Sequence, residues 1–325
     1  MGSGIIGVGM YAPPKLLTND DLAKMVDTSD SWISTRTGIK VRHIAEPGTA
    51  TSDLCLEASR RALADAGVDP TELDIVVVGT LTPDMPFPST ACFLQKKLGA
   101  GRAYGMDVSA ACSGFVYSLS VADALIRAGR GKKALVVGAE ILSSVVDYTD
   151  RSTCILFGDG AGAVVLSECG EGEGVLSCHL HSDGNLWELI HCPGGGTVDP
   201  CNPGTSSVRT NYIRMAGNET FKHAVTRMAE VCQEVLEHNG VTVADVDLFI
   251  PHQANQRIVN AVGKRLGIPA GKVFVNLERY GNTSAASVPI ALAEAREKGL
   301  YSRGDLVLLV AFGGGLTWGS ALLRM

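Results

Sequence analysis

The segment Gly67-Val-Asp-Pro-Thr-Glu-Leu-Asp74, followed by Ile75-Val-Val-Val78, has a counterpart in Gly240-Val-Thr-Val-Ala-Asp-Val-Asp247, followed by Leu248-Phe-Ile250, at an offset of 173 (240 − 67). Each copy runs from a polar turn into an apolar stretch of strand length. A second pair keeps the spacing: Gly131-Lys-Lys precedes Ala134-Leu-Val-Val-Gly138, and Gly304-Asp precedes Leu306-Val-Leu-Leu-Val-Ala311. Between these anchors, KKLGAGRAY (Lys96–Tyr104) matches KRLGIPAGKVF (Lys264–Phe274). Three matches in one order describe an internal repeat, so the chain reads as two similar α/β halves joined near Cys169–Gly174.

Strands are expected over Asp74–Gly79, Ala103–Val108, Ala134–Gly138, Ala163–Leu166, Asp247–Ile250, Val273–Val275 and Leu306–Ala311. Helices are expected over Ser52–Ala66, Thr90–Leu98, Ser113–Ala128, Phe221–Asn239, Gln256–Leu266 and Ser284–Lys298. Continuous β-branched runs alternating with helices predict largely parallel sheets covered on both faces. Two glycine patterns invite a nucleotide-binding reading. Gly2-Ser-Gly4-Ile-Ile-Gly7 fits GxGxxG, but no strand precedes it. Gly158-Asp-Gly160-Ala-Gly162 leads into strand-like residues rather than a helix. Both read as turns.

The 325 residues are 46% hydrophobic and 19% charged, a balance that excludes disorder. With 28 basic and 34 acidic side chains the formal charge is −6, which argues against a general nucleic-acid binder. No apolar run is long enough to span a membrane, and the N-terminus lacks the basic and hydrophobic regions of a secretory signal. The nine cysteines are scattered without CxxC spacing, as expected of reduced thiols in the cytoplasm.

Three positions carry reactive chemistry. Cys112, in Met106-Asp-Val-Ser-Ala-Ala-Cys-Ser-Gly114, follows a short strand and stands at a helix start. Small neighbours permit a sharp turn, and the helix N-terminus is expected to lower the thiol pKa. His252, in Pro251-His-Gln-Ala-Asn-Gln-Arg257, sits at the carboxyl end of the second-half strand, where open α/β sheets place their sites. Asn282, in Glu278-Arg-Tyr-Gly-Asn-Thr-Ser-Ala-Ala-Ser287, is the second-half counterpart of the Cys112 turn. It suits both a helix cap and a hydrogen-bond donor. Gly313-Gly-Gly315 can bring backbone N–H groups close to a ligand, as an oxyanion hole requires. Cys178-His-Leu-His181 with His191-Cys192 is rich in metal ligands. Its spacing matches no structural zinc pattern, and no metal site is expected.

These residues lie in motifs that resemble the β-ketoacyl-acyl carrier protein synthase III family, the initiating condensing enzymes of bacterial type II fatty acid synthesis. The motifs are SDSWISTRTGI (Ser29–Ile39), DVSAACSGF (Asp107–Phe115), FGDGAGA (Phe157–Ala163), MAGNETFK (Met215–Lys222), PHQANQRI (Pro251–Ile258), ERYGNTSAAS (Glu278–Ser287) and AFGGGLTWGSALLR (Ala311–Arg324). The similarity runs from Ile5 to Met325. It implies a thiolase-like, five-layered αβαβα sandwich built from two similar halves, residues 1–172 and 173–325.

The resemblance also implies roles. Cys112 takes the acyl group from acyl-CoA, while His252 and Asn282 donate hydrogen bonds to the malonyl thioester during decarboxylation. The N–H groups of Cys112 and Gly314 form the oxyanion hole. Trp32 and Arg151 hold the adenine of CoA, with Thr28 and Arg36 nearby, and Gly217, Phe221 and Asn255 line the pantetheine channel. Lys222, Arg257, Lys264 and Arg265, with Gln253, Ala254, Asn255 and Gln256, meet the acidic carrier protein. No cofactor is expected, CoA thioester being a substrate. The partners implied are acyl-CoA, malonyl-acyl carrier protein and a second copy in a homodimer. Phe87 would reach the floor of the partner's acyl pocket and favour a short primer such as acetyl-CoA.

Other readings keep or change parts of this picture. A polyketide-priming synthase would share every residue named. A thiolase needs a second, acid–base cysteine, and none lies in the Gly-rich C-terminal segment. A non-catalytic scaffold would have lost Cys112, His252 and Asn282. The loop Pro193–Ser206, flanked by Cys192 and containing Cys201, carries no catalytic motif.

Overall fold

The computed structural model describes residues 2–200 and 210–325; Cys201 and much of the loop beginning at Pro193 lie outside the described residues. Among the described residues, nine strands form the two main sheets. In the first half these are β1 (Gly2–Tyr11), β2 (Ile75–Gly79), β3 (Tyr104–Val108), β4 (Lys133–Glu140) and β5 (Gly160–Cys169), ordered β1-β5-β4-β2-β3. In the second they are β6 (Gly174–Ser182), β7 (Leu248–Pro251), β8 (Leu306–Gly313) and β9 (Thr317–Arg324), ordered β6-β9-β8-β7. The two orders superimpose under the repeat. The fifth strand of the second sheet shrinks to a bridge between Phe249 and Val273, so the strand expected over Val273–Val275 does not form.

The long helices are α1 (Thr51–Ala66), α2 (Thr90–Leu98), α3 (Gly114–Arg127), α4 (Gly217–His238), α5 (Gln256–Leu266) and α6 (Ser287–Glu297). Strand periodicity sorts them into layers. Ile75, Val77, Val136, Val307 and Leu309 point inward and enclose α3 and α6 through Phe115, Leu119, Val288 and Leu292. The alternate residues Val76, Val78 and Val137 meet α1 and α2 outside, and Leu308, Val310 and Leu322 meet α4 and α5. A helix buried on every side must be apolar all round, and α6 is buried without interruption from Ser287 to Ala295. The result is a five-layered αβαβα sandwich.

Two expectations are corrected here. The sheets are mixed rather than largely parallel: β1 and β4 both run antiparallel to β5, and β9 runs antiparallel to both β8 and β6. Of these, β1, β6 and β9 are not among the expected strands, since none carries a continuous β-branched run. Gly2–Gly7 is not a turn but the start of β1. Its glycines serve close packing, since a Cβ at Gly7 would stand 2.4 Å from the Ala62 carbonyl oxygen of α1. Gly160 and Gly162 likewise lie within β5. No helix among the described residues is long and apolar enough to cross a membrane.

Candidate active site

Both halves make the same turn between the edge of a sheet and its buried helix. In the first, a 3-10 turn over Ala111–Ser113 runs into α3; in the second, one over Ser284–Ala286 runs into α6. Among the described residues the non-glycine residues with positive φ are Ala111 (46°) and Ser284 (49°), and they stand 173 positions apart. Such left-handed conformations cost on the order of 1–3 kcal/mol and persist where packing imposes them. Close packing is visible at both turns. A Cβ on Gly313 would lie 2.5 Å from the Cys112 nitrogen, and one on Gly138 2.2 Å from the Ala285 carbonyl oxygen.

Cys112, His252 and Asn282 meet at one cavity of about 720 Å³. Burial pushes the Cys112 thiol up to about 12, with the Ser284 hydroxyl opposing and the Glu140 carboxyl adding to the rise. This runs against the lowered thiol pKa expected from the helix N-terminus: desolvation is the largest influence on the thiol and acts upward. Burial also takes His252 down to about 4. Thiol and imidazole are both neutral near pH 7.

Each second-half side chain is held in one orientation. The His252 N–H of the main chain bonds the Val310 carbonyl at 2.8 Å, and Nδ1 lies 2.6 Å from Ser287 Oγ, leaving Nε2 for the cavity. Asn282 Oδ1 accepts the Ser284 N–H at 2.9 Å, so the amide caps its turn while Nδ2 remains a donor. Its backbone is clamped at both ends, by Leu156 O at 2.8 Å and Gly158 N at 3.0 Å. Ser287 was not singled out from the sequence, although it closes the quoted motif and its position one turn past Asn282 could have indicated it.

The same cavity is lined by Trp32, Arg36, Gly217, Phe221, Lys222, Ala254, Asn255 and Arg257. The Trp32 indole is covered by two guanidinium groups, with Arg36 Cζ 4.1 Å and Arg151 Cζ 4.8 Å from its centroid. Arg151 thus lies over the ring and also donates to the Asp27 carbonyl at 2.8 Å. Thr28 Oγ1 is buried without a hydrogen-bond partner. Asn255 caps α5 through the Arg257 N–H and donates to the Arg36 carbonyl at 3.2 Å.

Lys222, Arg257, Lys264 and Arg265 are exposed, and none has a carboxylate partner among the described residues. Gln256 bonds Asn260 on the surface of α5. Gln253 departs from the docking role. It is 1% exposed, its Nε2 donates to Pro251 O at 2.7 Å and Phe274 O at 3.2 Å, and its Oε1 accepts the Asn276 N–H. It clamps the strand end from inside and offers nothing to a docking protein. Gly314 packs against the Ile190 carbonyl, beside the glycine that contacts Cys112. Phe87 does not line this chain's own cavity and is 83% exposed.

His179 and His181 share a strand face, and both rings turn to Glu234, at 2.9 and 2.6 Å. Among the described residues no group of three or more His, Cys, Asp or Glu side chains is placed to hold a metal ion.

A duplicated sandwich that sets a cysteine of one half against an imidazole and an amide of the other, beneath an arginine-rimmed channel, defines a condensing acyltransferase of the thiolase fold. Comparison with known proteins narrows the class. Residues 106–184 match the family described as 3-oxoacyl-[acyl-carrier-protein] synthase III, and residues 236–325 match its C-terminal part. A β-ketoacyl-[acyl-carrier-protein] synthase III of Desulfitobacterium hafniense is 53% identical over 321 residues, covering 99% of this chain and 97% of that protein. The crystal structure of 3-oxoacyl-[acyl-carrier-protein] synthase III from Aquifex aeolicus superposes with a TM-score of 0.93 at 52% identity, over 100% of both chains. The priming β-ketosynthase of the R1128 polyketide pathway also superposes with a TM-score of 0.93, at 39% identity over 99% of this chain and 96% of that one. The chain belongs to the β-ketoacyl-acyl carrier protein synthase III family.

Proposed function

We propose that this enzyme joins a short acyl-CoA, acetyl-CoA first among them, to malonyl-acyl carrier protein, releasing CoA and CO2 and starting fatty acid synthesis. The observation that carries the reading is the meeting of Cys112, His252 and Asn282 at the base of one channel. Cys112 Sγ attacks the acyl-CoA carbonyl, with the N–H groups of Cys112 and Gly314 taking the developing oxyanion. Because burial keeps the thiol protonated, it loses its proton as it attacks rather than beforehand. CoA leaves through the channel and malonyl-carrier enters.

Decarboxylation then pushes electrons onto the thioester oxygen. Asn282 Nδ2 and His252 Nε2 donate to that oxygen, the histidine holding its proton on Nε2 because Ser287 donates to Nδ1. Both donors are uncharged, which disfavours solvation of the malonyl carboxylate and favours loss of neutral CO2. The resulting enolate attacks the acyl-Cys112 thioester and releases the thiolate.

The free rim charges of Lys222, Arg257, Lys264 and Arg265 support docking of an acidic carrier protein. The unpaired edge of β3 and the exposed Phe87 and Met85 support a homodimer that covers them. Cytoplasmic location is typical of the family. Polyketide priming is the weaker reading, resting on a relative at 39% identity against 53% for the fatty acid enzymes.

The test is incubation with radiolabelled acetyl-CoA followed by malonyl-acyl carrier protein. One label per chain on Cys112, then transfer into a four-carbon 3-oxoacyl product, is expected. Absence of loading, or label mapping to another cysteine, overturns the reading.

A further inference from the structure

Arg42, on the short strand Val41–Ile44, is among the largest side chains that are wholly buried, and no step above uses it. Its hydrogen bonds all go to neutral oxygens. Nε donates to the Ile155 carbonyl at 3.1 Å, Nη2 donates to the same oxygen, and Nη1 donates to Asn19 Oδ1 at 2.5 Å. Burial pulls the guanidinium down to about 10, so it keeps its charge near pH 7. A buried cation without a carboxylate is costly unless its acceptors are fixed in place.

The guanidinium holds the wall on which Asn282 hangs. Residues 155–158 run without regular structure between the short helix Arg151–Cys154 and β5. The Asn282 N–H donates to the Leu156 carbonyl at 2.8 Å, and the Gly158 N–H donates to the Asn282 carbonyl at 3.0 Å. Phe157 and Asn282 thereby form an isolated parallel bridge. The Arg42 stem lies against both sides of that bridge: a Cβ on Gly158 would stand 3.3 Å from Arg42 Cβ, and one on Gly281 3.1 Å from Arg42 Cγ. Behind the head, Asn19 Nδ2 donates to Asp30 Oδ1 at 2.8 Å and to the Ile39 carbonyl at 2.9 Å. The acceptor of Nη1 is therefore itself anchored.

We propose that Arg42 is a positioning residue for decarboxylation of the malonyl thioester: by bonding Ile155 and bracing Gly158 and Gly281, it sets where the Asn282 amide meets the thioester oxygen. This rests on the donor role given to Asn282 above. A planar fork that bonds two groups at once restrains both, whereas a lysine offers one point charge on a flexible stem. A donor misplaced by about 1 Å costs on the order of 100-fold in rate. Cys112 takes its place from a different set of contacts, the turn Ala111–Ser113 packed on Gly313, so acyl loading does not pass through Arg42.

The experiment measures labelled CO2 release from malonyl-acyl carrier protein and, separately, acetyl transfer from saturating acetyl-CoA, both on the full chain. Arg42→Lys is expected to slow CO2 release at least tenfold, in kcat rather than KM, and to change acetyl transfer less than twofold. In an Asn282→Ala background the same substitution is expected to add less than twofold, because its effect passes through that amide. If Arg42→Lys does not fold, Asn19→Ala, which keeps the guanidinium and removes one acceptor, is read for the same split and decides. Equal loss of both half-reactions, wild-type CO2 release, or an undiminished loss in the Asn282→Ala background overturns the positioning role and leaves the Asn282 reading standing. Wild-type CO2 release by Asn282→Ala itself overturns both.

Discussion

The turns at residues 109–114 and 282–287 share one backbone course and carry different chemistry. Each has a left-handed residue, a 3-10 turn and a buried helix behind it, at matching positions of the repeat. At those positions Ser109 faces Asn282 in the alignment of halves, Ala111 faces Ser284, and Cys112 faces Ala285. The strand ends diverge in the same way: Gly79 against His252, and Glu140 against Gly313. In the proposed mechanism the first half supplies the nucleophile and the second supplies neutral donors, together with a glycine that lets the Cys112 backbone close in. The contacts also cross. Thr317 Oγ1 of the second half bonds the Ala110 carbonyl at 2.8 Å, and Asn282 is fastened to Leu156 and Gly158 of the first. Duplication gave two equivalent scaffolds, and a working site needs one specialised turn from each.

The largest effect expected from breaking this division is at the nucleophile. Cys112→Ser should reduce acyl loading by ~1,000-fold or more. His252→Ala and Asn282→Ala should instead spare loading and slow malonyl decarboxylation by ~100-fold or more. Separate assays of the two half-reactions check this, and equal loss of both in the second-half variants would erase the contrast. Because His252 is depressed to about 4, it stays neutral above that value, so its donor role should show no acid-side loss between pH 8 and 5.5.

Next comes the packing that brings the turns together. Gly313→Ala would place a methyl 2.5 Å from the Cys112 nitrogen, and destabilisation of about 1–3 kcal/mol is expected, read as a lower urea midpoint together with slower loading. Gly299→Ala, at a surface glycine with open space and φ 66°, should destabilise without touching loading. Slow loading in both would mean that the effect is not local to the turn.

At the rim, Arg257→Glu should raise the KM for malonyl-acyl carrier protein by ~10-fold while leaving acetyl-CoA loading nearly unchanged. Gln253→Ala should lower stability and leave that KM alone, since the side chain is buried and fully bonded. A carrier-specific KM change in Gln253→Ala would restore its docking role. The smallest effect expected is on primer choice: Phe87→Thr should raise activity with C6 to C12 acyl-CoA primers several-fold relative to acetyl-CoA. An unchanged order of preference would remove Phe87 from the acyl pocket.

Much of this was legible in one dimension. The repeat, the helix bounds of α2 and α5, and the candidates Cys112, His252 and Asn282 follow from spacing, periodicity and neighbouring motifs, all of which are local properties of the chain. Tertiary structure decided the remainder. The N-terminal glycines became a strand because α1 packs onto them, and Val273–Val275 lost its strand to a single bridge. Gln253 turned inward to bond backbone groups near residues 274 and 276. The Cys112 thiol rose rather than fell, because its surroundings come from segments 30 to 200 residues away that exclude water. Ser287 became the partner of the His252 ring for the same reason: a serine acquires such a role only when the fold removes its solvent and chooses its neighbours.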